Sequence, residues 1–423
     1  MKNKNEKIEW KRLDNASKIF PATSNSKDTK VYRISAELNE DINPINLQMA
    51  LDLTIESFPI YKSVLRRGLF WYYFEITNIY PEVQIESSNP CSALYIKGEK
   101  NLLFRVTYYN KRINLEAFHA LSDGAGAIWF LETLIFHYIS INYKNELNDK
   151  LPSFDYGASI SEKMDDSFWK NYISNIKDEN IKKEKYKLAY KIKGKRIDEN
   201  KMKIIEGAMS VEEVLKISRE YDTSMTVFLT ALLLYSIYLD MPKNKLRKPI
   251  VLSVPVNLRG YYGSLTARNF FTTMNISYDF KYNSREFNDV IKYVDKEFKK
   301  ELQEKNIDIK LARFMRLENN PIARIVPLTI KDFVMKIADK FNDRTITSSI
   351  SNIGRIKTAE EFESYINQFS ICVSARAPKI TFCSYKDRLV ISFTSPYTET
   401  DIQRAFFQFL SYKNIKIEIT SNI

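Results

Sequence analysis

The order of apolar and polar positions separates strands from helices along most of the chain. Residues 31–36 are β-rich, and 44–57 (PINLQMALDLTIES) carry apolar side chains at helical spacing, which predicts a strand followed by a helix. Aromatic and β-branched runs at 68–76, 101–109 and 112–119 predict three neighbouring strands. A helix apolar on most faces is expected over 126–143, and an amphipathic one carrying Trp169 and Tyr172 over 160–176. In the second half, Ser210 and Glu213 stand at capping-box spacing before a helix at 211–221, and Thr223 and Ser224 precede the apolar run 225–239. Strands are predicted at 249–256, 270–280, 344–350, 368–375, 379–384, 388–394 and 415–420, with helices at 284–304 and 399–411. Both halves mix strands and helices on a similar scale. The expected fold class is therefore α/β (α+β): an N-terminal lobe over 1–176, a basic crossover or linker over 177–203, and a C-terminal lobe over 204–423. No short-period repeat is present, so solenoids and propellers are excluded.

Composition narrows the picture without naming a reaction. The 423 residues are 44% hydrophobic and 27% charged, enough apolar material for a large core and against wholesale disorder. Lys plus Arg is 64 and Asp plus Glu is 52, a net charge of +12 that suits anionic partners. The crossover concentrates that charge in Lys182, Lys183, Lys185, Lys187, Lys191, Lys193, Lys195, Arg196, Lys201 and Lys203. Without a nucleic-acid motif or interleaved stacking aromatics it reads as a solvated face, so no nucleic-acid partner is expected. The longest apolar stretch, 225–239, is shorter than the ~18–20 residues of a membrane span and reads as a buried core helix. The charged N-terminus has no apolar segment after it, so neither a secretory signal nor a transmembrane segment is expected, while peripheral membrane contact stays compatible. Cys91, Cys372 and Cys383 form no CxxC pair, and only two histidines exist. A disulfide framework and a metal cluster are thus not expected, and a reducing cytoplasm fits.

Of the two histidines, His137 lies in a mostly apolar helical run and reads as a core residue. His119 ends a strand-like run and is followed by Ala120-Leu121-Ser122-Asp123-Gly124-Ala125-Gly126. A strand ending in His, a turn with Asp-Gly and a helix after it place an imidazole at the mouth of a sheet. Gly124 and Gly126 are expected to supply backbone angles closed to other residues. Neutral imidazole at that place can take a proton from a hydroxyl or thiol. Asp123 can organise the turn or pair with an arginine.

The segment His119-Ala120-Leu121-Ser122-Asp123-Gly124 resembles the signature of the chloramphenicol acetyltransferase-like superfamily of acyl-CoA-dependent acyltransferases, which also holds condensation domains. Residues 13–21 (LDNASKIFP), 254–259 (VPVNLR), 268–271 (RNFF) and 351–354 (SNIG) are similar to further family stretches, in an order that covers nearly the whole chain. The likeness is greatest to bacterial alcohol acetyltransferase-like proteins. It implies two lobes, each a mixed sheet flanked by helices, around a central channel with the catalytic His midway. His119 would deprotonate an acceptor alcohol or amine, which attacks the acyl thioester directly, with coenzyme A thioester as co-substrate and no permanently bound cofactor. The family's motif Asp pairs with an Arg, so the resemblance makes Asp123 a motif residue whose partner is Arg259 or Arg268. Asn257, Ser351 and Asn352 become candidate oxyanion or substrate hydrogen-bond donors.

Two departures bear on the branch. Phe118 stands where the condensation signature has a second His, which favours acyl-CoA over carrier-bound substrates, and no Asp-Phe-Gly-Trp-Gly stretch of the plant enzymes occurs. Three readings follow: acyl transfer from acyl-CoA to a small or lipophilic alcohol, a free-standing condensation-type enzyme using carrier-protein thioesters, or a catalytically silent binding module. Phe70, Trp71, Tyr72, Tyr73, Tyr261 and Tyr262 either line an acceptor channel or belong to the core. Acceptor identity, acyl-chain length and oligomeric state are not legible at this level.

Overall fold

The structure, a computed structural model, describes residues 10–144, 147, 158–172, 187–199 and 201–422. Lys182, Lys183, Lys185 and the expected lobe boundary at 176–177 lie outside the described residues. Among the described residues two large mixed sheets and one small sheet form. The five-stranded sheet has the order Ile366–Val373, Val31–Leu38, Arg112–Phe118, Phe104–Tyr109, Gln84–Ile85, with only the last pair parallel. The seven-stranded sheet runs Phe271–Tyr278, Ile250–Asn257, Ser348–Ile356, Lys379–Tyr385, Arg388–Ser395, Lys203–Ser210, Glu418–Ser421. Ser348–Ile356 is parallel to both its neighbours, which makes this sheet mixed as well.

Each sheet buries a face under helices. Pro44–Ser57 and Gly124–Asn142 pack together over the five-stranded sheet, and Leu47, Leu51, Leu115, Phe130 and Leu134 are buried between them. Asn43 caps the first of these helices through Ile45 and Asn46 N–H, with Pro44 at the first turn where its missing donor costs nothing. Gly124–Asn142 is long and apolar enough to cross a membrane, but most of it is enclosed in this core. In the other lobe Met225–Asp240 is buried on most sides, against Phe287–Glu301, Asp401–Tyr412 and Ile250–Asn257. Its capping Ser224 accepts from Val227 N–H, as the sequence predicts. Each of Phe228, Leu232 and Leu234 is sealed from water, a burial worth about 1.5–3 kcal/mol per side chain.

The lobes are not consecutive blocks of chain. After Ser348–Ile356 the backbone leaves the seven-stranded sheet, adds Ile366–Val373 beside Val31–Leu38, and returns as Lys379–Tyr385. Ile371 faces Ile34 in this pairing. A strand from the second half thus completes the sheet of the first, and separating the lobes would break a full ladder of backbone hydrogen bonds.

Several elements differ from expectation. The run 68–76 is not one strand: Ser63–Arg67 and Tyr72–Ile76 form a hairpin, closed by a 2.9 Å bond from Gly68 N–H to the Trp71 carbonyl. This hairpin pairs with Trp10–Arg12 and not with Phe104–Tyr109. Unbroken aromatic sequence hid the reversal, with Gly68 its one marker. The stretch 160–176 divides at Asp165 and Asp166 into Ile160–Met164 and Ser167–Lys170, because Asp166 caps a new helix. Residues 344–347 lead into the strand Ser348–Ile356 from the helix Leu328–Thr345. That helix, the preceding Glu304–Asn319 and Pro321–Ile325, and the interior strand Lys203–Ser210 were not anticipated.

Candidate active site

The strand Arg112–Phe118 delivers His119 to its end. Val31 faces Phe118 across the ladder, and His119 N–H donates to the Lys30 carbonyl at 2.8 Å, so the pairing extends one residue beyond the strand. The His119 ring lies between the lobes. It stacks on Phe20 with centroids 4.4 Å apart, meets Tyr32 edge-on at 5.3 Å, and lies 5.6 Å from Phe271 of the second half. Phe118 points the other way, fully buried and stacked on Tyr95.

Asn269 decides which ring nitrogen of His119 carries the proton. Its side-chain N–H groups donate to the His119 carbonyl and to Ser17 Oγ, both at 2.9 Å. Ser17 Oγ has its own proton engaged by Asp14 Oδ1 at 2.6 Å, so towards Asn269 it can only accept. Asp14 Oδ1 in turn accepts Ser17 N–H at 2.8 Å. With Nδ2 so committed, Asn269 Oδ1 is the atom that faces His119 Nδ1, 3.1 Å away, and Nδ1 must be the donor. The chain Asp14, Ser17, Asn269, His119 therefore holds one tautomer, in which Nε2 keeps its lone pair. Nε2 has no hydrogen-bond partner among the described residues, and His119 is only half-buried. Burial pushes the imidazole below its ordinary 6.5, opposed by the ring's contact with its own backbone, the field of Asp123 and the Asn269 contact, so the ring stays neutral in neutral solution. Burial also raises the Asp14 carboxyl, with Arg268 3.7 Å away acting in the opposite sense.

Asp123 is spent on structure. As N-cap of Gly124–Asn142 it accepts from Gly126 N–H at 3.0 Å. Its two oxygens take a bidentate pair of 2.8 Å bonds from Arg259, and Oδ2 also accepts Phe270 N–H at 2.9 Å. Of the two expected arginines, Arg259 is the partner. Arg268 instead donates to the Arg12 carbonyl at 2.6 Å and sits beside Asp14. Arg259 further ties the Thr266 and Arg268 carbonyls, so the motif turn is bolted to the loop that carries Asn269. Asp123 thus positions the segment bearing His119.

Gly124 and Gly126 do not have the unusual backbone angles expected of them; positive φ among described glycines occurs at Gly98, Gly263 and Gly354. Gly126 is required for closeness: a Cβ there would come 2.0 Å from the Ala267 carbonyl and 2.5 Å from Ser122 Oγ. A Cβ on Gly124 would meet only Ile353 Cδ1, at 3.0 Å.

The candidate hydrogen-bond donors fare unequally. Asn257 gives its side-chain oxygen to Arg259 N–H at 3.0 Å and to the guanidinium at 3.2 Å. Asn352 is used at both ends, donating to Thr226 Oγ1 and accepting from Gly354 N–H at 2.8 Å each, which makes it a turn residue. Ser351 is half-buried and keeps an uncommitted hydroxyl among the described residues. His137, expected in the core, is half-buried with its imidazole lowered by burial.

A cavity of about 660 Å³ opens nearby, walled by Trp10, Trp71, Tyr73 and Trp169 with Lys18 and Arg324 among its cations. His119 is not part of its wall; Phe20, stacked on the imidazole, stands two residues from Lys18. Phe70, Trp71, Tyr72 and Tyr73 all line this space, while Tyr262 packs on Phe270 and bonds Asp308 at 2.6 Å. The residues holding the His119 ring that sequence reasoning missed are Asn269, Ser17 and Asp14. All three lie in the stretches 13–21 and 268–271 whose likeness to the family was visible without revealing their roles.

No protein-family model and no curated protein matches the chain. Solved structures do. Polyketide synthase associated protein 5 from Mycobacterium tuberculosis aligns with a TM-score of 0.62 and 13% identity over 95% of this chain and 96% of that one. TRI101 from F. sporotrichioides, complexed with coenzyme A and T-2, aligns at 0.63 and 12% over 97% and 99%. The first condensation domain of the CDA synthetase aligns at 0.58 and 12% over 97% of each chain. At such identities the likeness is one of fold, and it spans both lobes with their shared junction. The chain thus shares, along its whole length, the two-lobed fold of these acetyltransferase and condensation-domain structures.

Proposed function

We propose that the protein transfers an acyl group from a coenzyme A thioester directly to the hydroxyl of a lipophilic alcohol, with His119 as general base. The observation that carries this reading is the clamped tautomer: Nδ1–H is given to Asn269, so the Nε2 lone pair is free at the lobe junction. In this scheme Nε2 takes the acceptor's proton as its oxygen bonds the thioester carbonyl carbon. The tetrahedral intermediate then collapses with cleavage of the C–S bond. The imidazolium returns the proton to the leaving thiolate, giving free coenzyme A and the ester, with no acyl-enzyme. Ser351, with an uncommitted hydroxyl, and Asn257, whose bonds engage only its side-chain oxygen and leave its N–H groups uncommitted among the described residues, are assigned to the developing oxyanion. Coenzyme A as donor is supported by the likeness to TRI101, solved with that molecule, and by the net charge of +12. The aromatic wall of the 660 Å³ cavity supports an apolar acceptor.

The deciding experiment is thiol release from a panel of acyl-CoAs and alcohols, with His119→Ala beside the wild type. Acceptor-dependent release that the variant loses by at least ~10²-fold, the contribution of a general base, supports the proposal. Release only from carrier-protein thioesters would instead support a condensation-type enzyme, whose fold the chain shares. No release from either donor would leave a binding module.

A further inference from the structure

The helix Leu328–Thr345 is mounted the wrong way round for a core element. At 3.6 residues per turn, Ile330, Phe333, Val334, Ile337 and Phe341 fall in one stripe roughly 100° wide. Such a stripe ordinarily faces a core, yet these five side chains are 40–64% exposed. The opposite, acidic side is what holds the helix to the protein. Asp332 receives bonds from Arg67 at 3.3 Å and Tyr72 at 2.8 Å, Asp339 pairs with Arg376 at 2.6 Å, and Asp343 pairs with Lys191 at 3.1 Å. The apolar face is thus turned outward by three separate polar anchors.

Basic residues flank the stripe. Lys336 and Lys340 are exposed and have no ion-pair partner among the described residues, and Arg344 lies over the Phe341 ring at 5.6 Å. At the N-terminal end, Leu328 N–H donates to the Leu69 carbonyl, and Lys331 donates to the Phe70 carbonyl while lying over the Trp71 ring at 3.5 Å. The helix therefore abuts the hairpin tip that rims the aromatic cavity, where Leu69 and Ile325 are each 71% exposed and extend the apolar surface.

We infer that this face is a docking surface for a bilayer containing anionic lipid. Apolar side chains bordered by lysines match the acyl boundary and headgroups of such a surface, and the whole-chain charge of +12 adds long-range attraction. A second copy fits less well, because an isologous pairing of the stripe would bring the same lysines together on both sides. Docked in this way, the protein turns the rim of its cavity toward the membrane. The inference concerns attachment and does not depend on the reaction proposed above.

Co-sedimentation of the full chain with vesicles tests it without any turnover assay. Vesicles of equal parts phosphatidylcholine and phosphatidylglycerol are expected to pellet the protein, less so at high salt, while phosphatidylcholine alone leaves it largely in solution. The doubly substituted variants Phe333→Ser with Phe341→Ser, and Lys336→Glu with Lys340→Glu, should each lower the partition coefficient by about tenfold or more at unchanged thermal stability. The inference is overturned if the wild type stays in the supernatant with the mixed vesicles, or if both variants pellet as the wild type does. It is equally overturned if the phenylalanine substitutions abolish a concentration-dependent dimer and leave vesicle binding intact.

Discussion

Removing the Asn269 side chain tests the clamp on His119 most directly. Asn269 is 1% exposed and makes three bonds of 2.9–3.1 Å, to His119 Nδ1, the His119 carbonyl and Ser17 Oγ. At ~0.5–1.5 kcal/mol net for each, Asn269→Ala should cost about 2–4 kcal/mol of stability, leaving the fold populated. On the reaction proposed above, with His119 as base, the effect on catalysis should be larger than that loss implies. Without an acceptor at Nδ1 the proton is free to move to Nε2, where it abolishes the base. In Ser-His-Asp triads the wrong tautomer lowers kcat by ~10⁴. Here the lost partner is a neutral amide that water can partly replace, so kcat should fall about 10²-fold with little change in KM. Because the chain has only His119 and His137, ¹⁵N-histidine NMR can read the tautomer itself. The wild type should show an unprotonated Nε2 at neutral pH, and the variant a mixture. Asn269→Asp adds a second arm. A carboxylate still accepts from Nδ1 but favours the charged imidazole, so the acid limb of kcat/KM, which should lie below 6.5 in the wild type, should move to higher pH. A wild-type His119 protonated on Nε2, or a folded alanine variant with unaltered tautomer and turnover, would refute the assignment.

Three further outcomes follow from the same geometry. Asp123→Ala leaves the Arg259 guanidinium buried without its bidentate partner and should lower stability by about 3–5 kcal/mol, read as a loss in urea midpoint, with Asp123→Asn recovering part of it. Gly126→Ala forces a Cβ to within 2.0 Å of the Ala267 carbonyl and should fail to reach a wild-type melting temperature, whereas Gly124→Ala, which meets only the flexible end of Ile353, should stay near it; equal melting temperatures for the two would contradict the packing argument. Folding stability should fall as pH drops below 6.5, because the unfolded chain protonates His119 and His137 before the folded one does, and His119→Gln should reduce that part of the slope in denaturant titrations, leaving the share of His137.

Local pattern was sufficient wherever an element buries one regular face. The helix Pro44–Ser57 coincides with its expected span, and Met225–Asp240, Lys379–Tyr385 and Arg388–Ser395 lie within one residue of theirs at each end. Their apolar spacing, caps and turn residues are all properties of neighbours in sequence. The imidazole at a strand end and the Asp-Gly turn after it were legible for the same reason. Pattern failed where a side chain's environment comes from distant chain. The hairpin at Gly68 was masked by a continuous aromatic run in which Phe70, Trp71 and Tyr73 line a cavity while Phe74 is buried in the core, and no local pattern shows that the regular apolar stripe of Leu328–Thr345 is turned to solvent.

The sequence by itself determined the mixed α/β class, the two-lobe scale and the position of His119 at the end of a strand, since these follow from periodicity over a few residues. Tertiary structure alone decided that Arg259 and not Arg268 holds Asp123, and that Asn269, 150 positions from His119, sets its tautomer. It also placed Ile366–Val373 in the sheet of the other lobe. The physical reason is common to all three. Hydrogen-bond partners and strand neighbours are chosen by direction and distance in space, and a linear pattern carries no information on which buried donor will meet which acceptor.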